Sequence, residues 1–235
     1  MAKCFRTWTV LEHRPIEKLS DKIWSVDGSL PKGSTRRIMG LVKLNGERVL
    51  VHNAIALSDA EMAEIERWGK PAYLVVPNGF HRQDAYIWKQ RYPELRVLCP
   101  AGARAKVEQE VPVDGSYTED LGDASVQLFH WRGSKEREGG VLVREADRVT
   151  LIVNDMLLNM PKLGGMMGLM LGPTGMASVP RVMRWMLVKD TLALKQHLIE
   201  LSQTPGLGRI LVGHGPTIEG GGAADSLKQA AERLS

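Results

Sequence analysis

The chain of 235 residues is long enough for one well-buried core, and nothing in its composition requires a second domain. It carries 31 lysines and arginines against 27 aspartates and glutamates, a formal net charge of +4, with the two signs interspersed. Because a basic stripe of the kind that binds nucleic acid is missing, we expect one domain over residues 1–235 and no nucleic-acid partner.

Cysteine spacing and apolar runs indicate the cellular compartment of the protein. Cys4 and Cys99 lie far apart and lack the spacing of a zinc knuckle or a redox pair. Residues 1–6 do not begin a signal peptide, and no segment reaches the ~18 apolar residues of a membrane span. We therefore expect a cytoplasmic protein without a transmembrane segment.

The first fifty residues predict antiparallel sheet. Strands are expected at 7–11, 22–26, 38–44 and 47–52. Asn45-Gly46 joins the last two, and this dipeptide is a strong hairpin signal because both residues tolerate positive φ.

Helical patterns then alternate with short strands. Ser58 and Glu61 predict a capping box, an apolar stripe follows at helical spacing, and Gly69 ends the helix. We expect a strand at 72–76, a helix at 84–92, a strand at 96–99 and a short helix at 101–110.

The second half repeats this order. Strands are predicted at 126–130, 141–143, 149–153 and 209–212, and helices at 181–201 and 223–234. The charged run at 135–138 mixes signs and predicts a solvated turn. Two sheet-rich blocks that each pass into helices and strands favour a layered α/β fold over a purely parallel sheet.

Three buried strands end just before polar side chains. Strands 73–76, 151–153 and 210–212 run into turns that carry His81, Asp155 and His214, and Asp84 lies one helical turn beyond His81. If the strands are neighbours, imidazole and carboxylate groups converge there, and zinc takes these ligands. The alternative is structural, with an aspartate that caps a turn and a histidine hydrogen-bonded to backbone.

The order and spacing of these residues resemble the metallo-β-lactamase superfamily. The resemblance rests on Val-Pro-Asn-Gly-Phe-His-Arg-Gln-Asp at 76–84, on Asn154-Asp155 and on Gly213-His214-Gly215-Pro216. Segments 23–24, 37–39 and 50–53 are similar to a little-characterised branch. The resemblance implies a four-layer αββα sandwich whose loops hold one or two metal ions, often zinc and sometimes iron or manganese.

The chain departs from the family's metal-binding pattern. Asp155 matches the bridging acidic position and His214 the last metal-binding histidine, but the motif His-x-His-x-Asp-His is reduced to a region with His81 and Asp84. In the region of the family's middle histidine, only His130 could supply an imidazole. The resemblance therefore implies a degenerate site that is mononuclear or vacant.

Two functions follow from this reading. The first is a metal-dependent hydrolase with His81, Asp84, Asp155 and His214 as ligands and with Asp84 and Asp155 in catalysis. It would activate water against an ester, amide, thioester or phosphoester of a small molecule. The alternative is a catalytically inactive scaffold that acts as a binding or assembly module.

A Gly- and Met-rich segment follows Asp155. Residues 164–172 combine flexible methionines with glycines, which suits a lid or an apolar wall of a substrate pocket. Core packing, a dimer contact and shallow membrane contact are the alternatives. With the apolar residues at 183–186, the segment favours a homodimer through residues 160–187.

Overall fold

Two compact units divide the chain after Ala124. The structure is a computed structural model that describes residues 4–33 and 35–234. Residues 1–3, 34 and 235, which the predicted single domain includes, lie outside the described residues. Each unit contains one β-sheet, and the single domain stays a prediction.

Among the described residues of unit 1, six strands form one sheet in chain order. They are β1 (Glu17–Lys18), β2 (Ile23–Ser29), β3 (Arg36–Leu44), β4 (Arg48–His52), β5 (Lys70–Val75) and β6 (Arg96–Leu98). Neighbours from β1 to β4 are antiparallel, whereas β4, β5 and β6 are parallel. The switch follows from the connections, because parallel neighbours need a crossover and helices supply it.

The predicted hairpin joins β3 and β4, and its loop has one residue more than the predicted two-residue turn. Leu44 pairs with Arg48, so three residues form the loop, and Gly46 and Glu47 have positive φ. The predicted strand at 7–11 is wrong. Single contacts hold this segment instead: Trp8 donates its indole N–H to the carbonyl of Leu57 at 2.8 Å.

Helices of unit 1 cover its apolar core. They are α1 (Asp59–Trp68), α2 (Ala85–Arg91) and α3 (Arg104–Val107), the last preceded by a 3₁₀ turn at Ala101–Ala103. The predicted capping box is present at Ser58 and Glu61, and the helix ends at Gly69. Met62, Ile65 and Trp88 are buried in the core of this unit.

The sheet of unit 2 has the order β11-β10-β9-β8-β7. Its strands are β7 (Val126–His130), β8 (Gly139–Arg144), β9 (Val149–Ile152), β10 (Leu207–Leu211) and β11 (Ile218–Glu219). Only β9 and β10 are parallel neighbours among these described pairs. Leu151 and Ile210 from this pair are fully buried in the core of unit 2.

The described residues of unit 2 form four helices. They are α4 (Gly165–Leu171), α5 (Arg181–Leu187), α6 (Thr191–Ser202) and α7 (Gly222–Glu232). The predicted continuous helix at 181–201 is wrong, because the chain becomes extended at Val188. The N–H groups of Lys189 and Asp190 donate to the carbonyl of Gly133 at 2.7 and 2.9 Å, so this tertiary contact replaces helical bonding.

No helix in residues 4–33 and 35–234 combines the length and the apolar character needed to cross a membrane.

Candidate metal centre

Asp155 and His214 lie just beyond the carboxyl ends of two neighbouring parallel strands in unit 2. Ile152 of β9 pairs with Leu211 of β10, and the N–H of Val153 donates to the carbonyl of Leu211 at 2.9 Å. The two turns therefore leave the sheet side by side. His214 Nε2 lies 3.4 Å from Asp155 Oδ1, and both side chains are buried.

Glycines on both sides let His214 occupy this position. A Cβ atom on Gly213 would overlap the side-chain oxygen of Asn154. Gly215 has a φ of +98°, and a Cβ atom there would overlap the carbonyl oxygen of Asn159. The turn thus packs its backbone directly against the segment around Asp155, which a larger residue at either glycine would prevent.

A buried carboxylate supports the turn that carries Asp155. Glu138 is fully buried, and its Oε1 accepts a hydrogen bond of 2.6 Å from the N–H of Met156. This position was predicted to belong to a solvated turn, so the prediction is wrong for Glu138. Glu138 belongs to a run of charged residues, so the sequence pattern does not reveal that its side chain is the one that points inward.

His81 lies in unit 1, in the loop after β5. Its Nδ1 is 3.0 Å from Asn53 Oδ1, and Asn53 Nδ2 donates to the carbonyl of Ile38 at 2.8 Å. The second bond fixes the amide with its oxygen toward the ring, so His81 Nδ1 carries the proton. In the neutral ring the lone pair is then on Nε2, a nitrogen through which histidine binds metals.

Asp84 is held by donors inside unit 1. Arg37 Nη2 donates to Asp84 Oδ2 at 2.6 Å, and the N–H of Ala56 donates to Oδ1 at 3.1 Å. Burial raises the pKa of Asp84, and the Arg37 guanidinium acts against this rise. With both carboxylate oxygens accepting bonds, the arrangement is typical of a structural ion pair.

Two further histidines of the described residues are His52, which is buried, and His130, which is partly buried. His52 at the end of β4 has its pKa lowered to about 3, first by burial and then by the charge of His81. Its Nε2 has no hydrogen-bond partner among the described residues. His130 pairs with Gly139 within the sheet of unit 2, and burial lowers its pKa.

Comparison with known proteins gives a result at the level of structure. No protein-family model matches the sequence, and the curated proteins contain no match. The chain is similar in structure to the DIM-1 metallo-β-lactamase, with a TM-score of 0.66, 15% identity, and coverage of 97% of this chain and 100% of that chain.

Two other solved structures agree. A metallo-β-lactamase from Erythrobacter litoralis, with β-mercaptoethanol in its active site, has a TM-score of 0.62 and 18% identity, over 93% of this chain and 96% of that chain. The metallo-β-lactamase FIM-1 from Pseudomonas aeruginosa, in its mono-zinc form, has a TM-score of 0.60 and 14% identity, over 93% and 94%. At such low identities the likeness is one of fold.

Proposed function

We propose that this chain, which has the metallo-β-lactamase fold, is a metal-dependent hydrolase that holds one metal ion. The observation that carries the proposal is the pair formed by Asp155 and His214, whose ligand-type atoms lie 3.4 Å apart at the ends of β9 and β10. Strand ends of this kind are where α/β proteins place their active groups.

The ligand set that we propose is His81, Asp155 and His214. Together they offer two imidazole nitrogens and one carboxylate oxygen, and zinc takes ligands of these types. Three protein ligands with one open position are typical of catalytic zinc. We therefore assign zinc, with iron or manganese as alternatives, and FIM-1 has been crystallised in a mono-zinc form.

Chemical features of the two units support this assignment. The hydrogen bond from His81 Nδ1–H to Asn53 Oδ1 leaves the lone pair of the neutral ring on Nε2. The side-chain nitrogen and oxygen of fully buried Asn154, adjacent to Asp155, have no partner among the described residues. Such buried polar atoms are expected where water or an ion belongs.

The chain's own residues have distinct roles in this proposal. When bound, the ion supplies Lewis-acid activation of water and of the scissile group. Asp155 is the carboxylate that we assign to accept the water's proton, and Glu138 holds its turn through Met156. Asp84, the other carboxylate predicted for catalysis, supports the segment after His81 through its bond with Arg37.

The substrate class in this proposal is a small molecule with an ester, amide, thioester or phosphoester bond. A specific observation favours the alternative, an inactive binding or assembly module. Asp84 is already neutralised by Arg37, so one carboxylate of the region is committed to structure. Such a module would have the same fold but would not hydrolyse a substrate.

Metal content distinguishes the two functions. Purified full-length protein, loaded with zinc and desalted, should retain about one zinc per chain by elemental analysis. His81→Ala, Asp155→Ala and His214→Ala should each weaken binding by about tenfold or more, because each removes one of three ligands. His13→Ala is the matched control, since His13 lies beside Glu61 in unit 1, outside the proposed ligand set, and should leave binding unchanged.

Each other outcome has a meaning. A wild-type protein that takes up no zinc, iron or manganese would refute the hydrolase. Equal binding by wild type and all three variants would refute the ligand assignment. Metal retention without hydrolysis of esters, amides, thioesters or phosphoesters would favour the module.

A further inference from the structure

Five large apolar side chains of unit 2 are exposed on two short helices. We call them the apolar patch: Met166, Met167, Leu169 and Met170 of α4 are 71, 49, 63 and 44% exposed, and Trp185 of α5 is 80% exposed. No residue of α4 is buried. The two helices are in contact, and exposed apolar side chains gathered on adjoining helices mark a surface that contacts something else.

The composition of α4 indicates which kind of partner or medium this helix contacts. Its seven residues, Gly-Met-Met-Gly-Leu-Met-Leu, include no polar side chain on any side. A helix that docks in a protein groove has one apolar stripe and a polar face toward water, whereas a helix apolar all round is found in an apolar medium, either a protein core or a membrane. The hydrocarbon boundary of a bilayer is such a medium.

Charges in the segment that carries the apolar patch have one sign. Residues 156–189 contain no aspartate or glutamate, and they contain Lys162, Arg181, Arg184 and Lys189. Arg181 Nη1 donates to the carbonyl of Leu169 at 3.1 Å, which places a cation beside α4. In a second copy bound symmetrically, the same cations would face each other with no acid from this segment to neutralise them.

The neighbouring loop adds to this positive charge. Lys135 donates its N–H to the carbonyl of Leu187 at 2.8 Å and its Nζ lies 3.4 Å from the carbonyl of Met186, so it borders α5. Glu136 is flanked by Lys135 and Arg137, which leaves the exposed loop with a net charge of one positive unit. The surroundings of the apolar patch therefore favour an anionic partner.

We propose that the apolar patch binds the surface of a bilayer that contains anionic lipids. The helix α4, about 10 Å long, lies within the interface and does not span it. Trp185 lies at the level of the headgroups, where indole rings are enriched. Lys162, Lys189 and the neighbouring arginines contact lipid phosphates.

Co-sedimentation of the full chain with lipid vesicles tests this. The protein should bind vesicles of phosphatidylcholine that contain phosphatidylglycerol, and should bind pure phosphatidylcholine about tenfold or more weakly. Leu169→Ser should weaken binding by about tenfold, because the variant loses an apolar side chain that enters the bilayer in this proposal. Leu192→Ser is the matched control: this leucine of α6 is 64% exposed, against 63% for Leu169, but lies outside the apolar patch.

A charge variant tests the second half of the proposal. Lys162→Gln with Lys189→Gln should weaken binding to the anionic vesicles by about 30-fold, since each lysine contributes near the membrane surface. Lys228→Gln, on an exposed lysine of α7, should leave binding unchanged. Fluorescence should shift to the blue on vesicle binding in wild type and not in Trp185→Phe.

Three results would overturn the proposal. The first is no binding to either vesicle, and the second is an equal loss for Leu169→Ser and Leu192→Ser. The third is a dimeric mass by light scattering that Leu169→Ser abolishes, without vesicle binding. That result would assign the apolar patch to a second copy of the chain, as the homodimer prediction has it.

Discussion

Single residues determine whether the turn at His214 can form. Gly213 and Gly215 are both in contact with backbone or side-chain atoms of the segment 154–159, and neither leaves room for a Cβ atom. His214 is held between them, with its carbonyl accepting from the N–H of Asn159 at 3.2 Å. The position of the imidazole thus depends on two neighbouring glycines, which have no functional group in a side chain.

A substitution at the second glycine tests this dependence. Gly215→Ala should lower the free energy of unfolding by about 3 kcal/mol, from steric overlap and from a positive φ. Gly220→Ala is the control, because Gly220 also has a positive φ but no atom lies within 4 Å of its Cβ position. There we expect a loss of about 1 kcal/mol by denaturant unfolding. Equal losses at both glycines would contradict the steric argument.

The buried imidazole of His52 predicts a pH dependence of stability. Its pKa is lowered from 6.5 to about 3 in the folded chain. Between these values the unfolded chain binds a proton that the folded chain does not, so stability falls as the pH is lowered. From pH 7 to pH 5 this group should remove about 2 kcal/mol.

His52→Gln should therefore flatten the curve. We expect the difference in unfolding free energy between pH 7 and pH 5 to shrink by about 2 kcal/mol relative to wild type, in urea titrations at both pH values. An unchanged difference would mean that His52 does not titrate as its burial requires.

Some of these residues could be found from sequence and others could not. Asp155 and His214 follow buried strands, a local signal, and the structure places them side by side. Asn53 also follows a buried strand, but its importance depends on its bond with His81, 28 residues away. Glu138 has no such signal, because its importance depends on burial and on the distant N–H of Met156. The Arg37–Asp84 bond spans 47 residues, so the sequence does not reveal the partner of Asp84.

At the scale of elements, local signals succeeded where no tertiary contact competes with them. The capping box of α1 and the hairpin of β3 and β4 are both set by adjacent residues. The continuous helix predicted at 181–201 failed because Gly133, far away in sequence, accepts the N–H groups of Lys189 and Asp190. A periodic pattern continues through this break and does not reveal it.

The start of α6 provides a prediction for this break. Asp190 is its N-cap, and Asp190 Oδ1 accepts from the N–H of Ala193 at 3.0 Å. Asp190→Ala should lower the free energy of unfolding by about 1 kcal/mol, measured by denaturant titration. Asp190→Asn keeps an acceptor and should stay close to wild type. If both variants lose the same amount, the cap is not the source of the stability.

At the scale of the whole molecule, the predicted α/β fold of the metallo-β-lactamase type is confirmed by the structural neighbours. Order and spacing of motifs were sufficient for this, although sequence identities are only 14 to 18%. The location in the cytoplasm and the single domain stay predictions.

Metal binding should stabilise the whole chain if the proposed function holds. A ligand that binds the folded state alone adds about 2.7 kcal/mol at a concentration one hundred times its Kd. We expect zinc to raise the Tm of the full chain and a chelator to reverse the rise, followed by calorimetry. His214→Ala should show a smaller shift with zinc, and a shift of wild-type size in this variant would contradict the assignment.

The Arg37–Asp84 pair also limits how positions 37 and 84 can change during evolution. Both side chains are buried, and removal of one partner from such a pair typically costs about 3 to 5 kcal/mol, because the other charge is left alone. A lineage that changes one position at a time must pass through a weakly folded intermediate. Freeing Asp84 for another use therefore requires paired substitution at position 37, which makes this bond a barrier to evolutionary change.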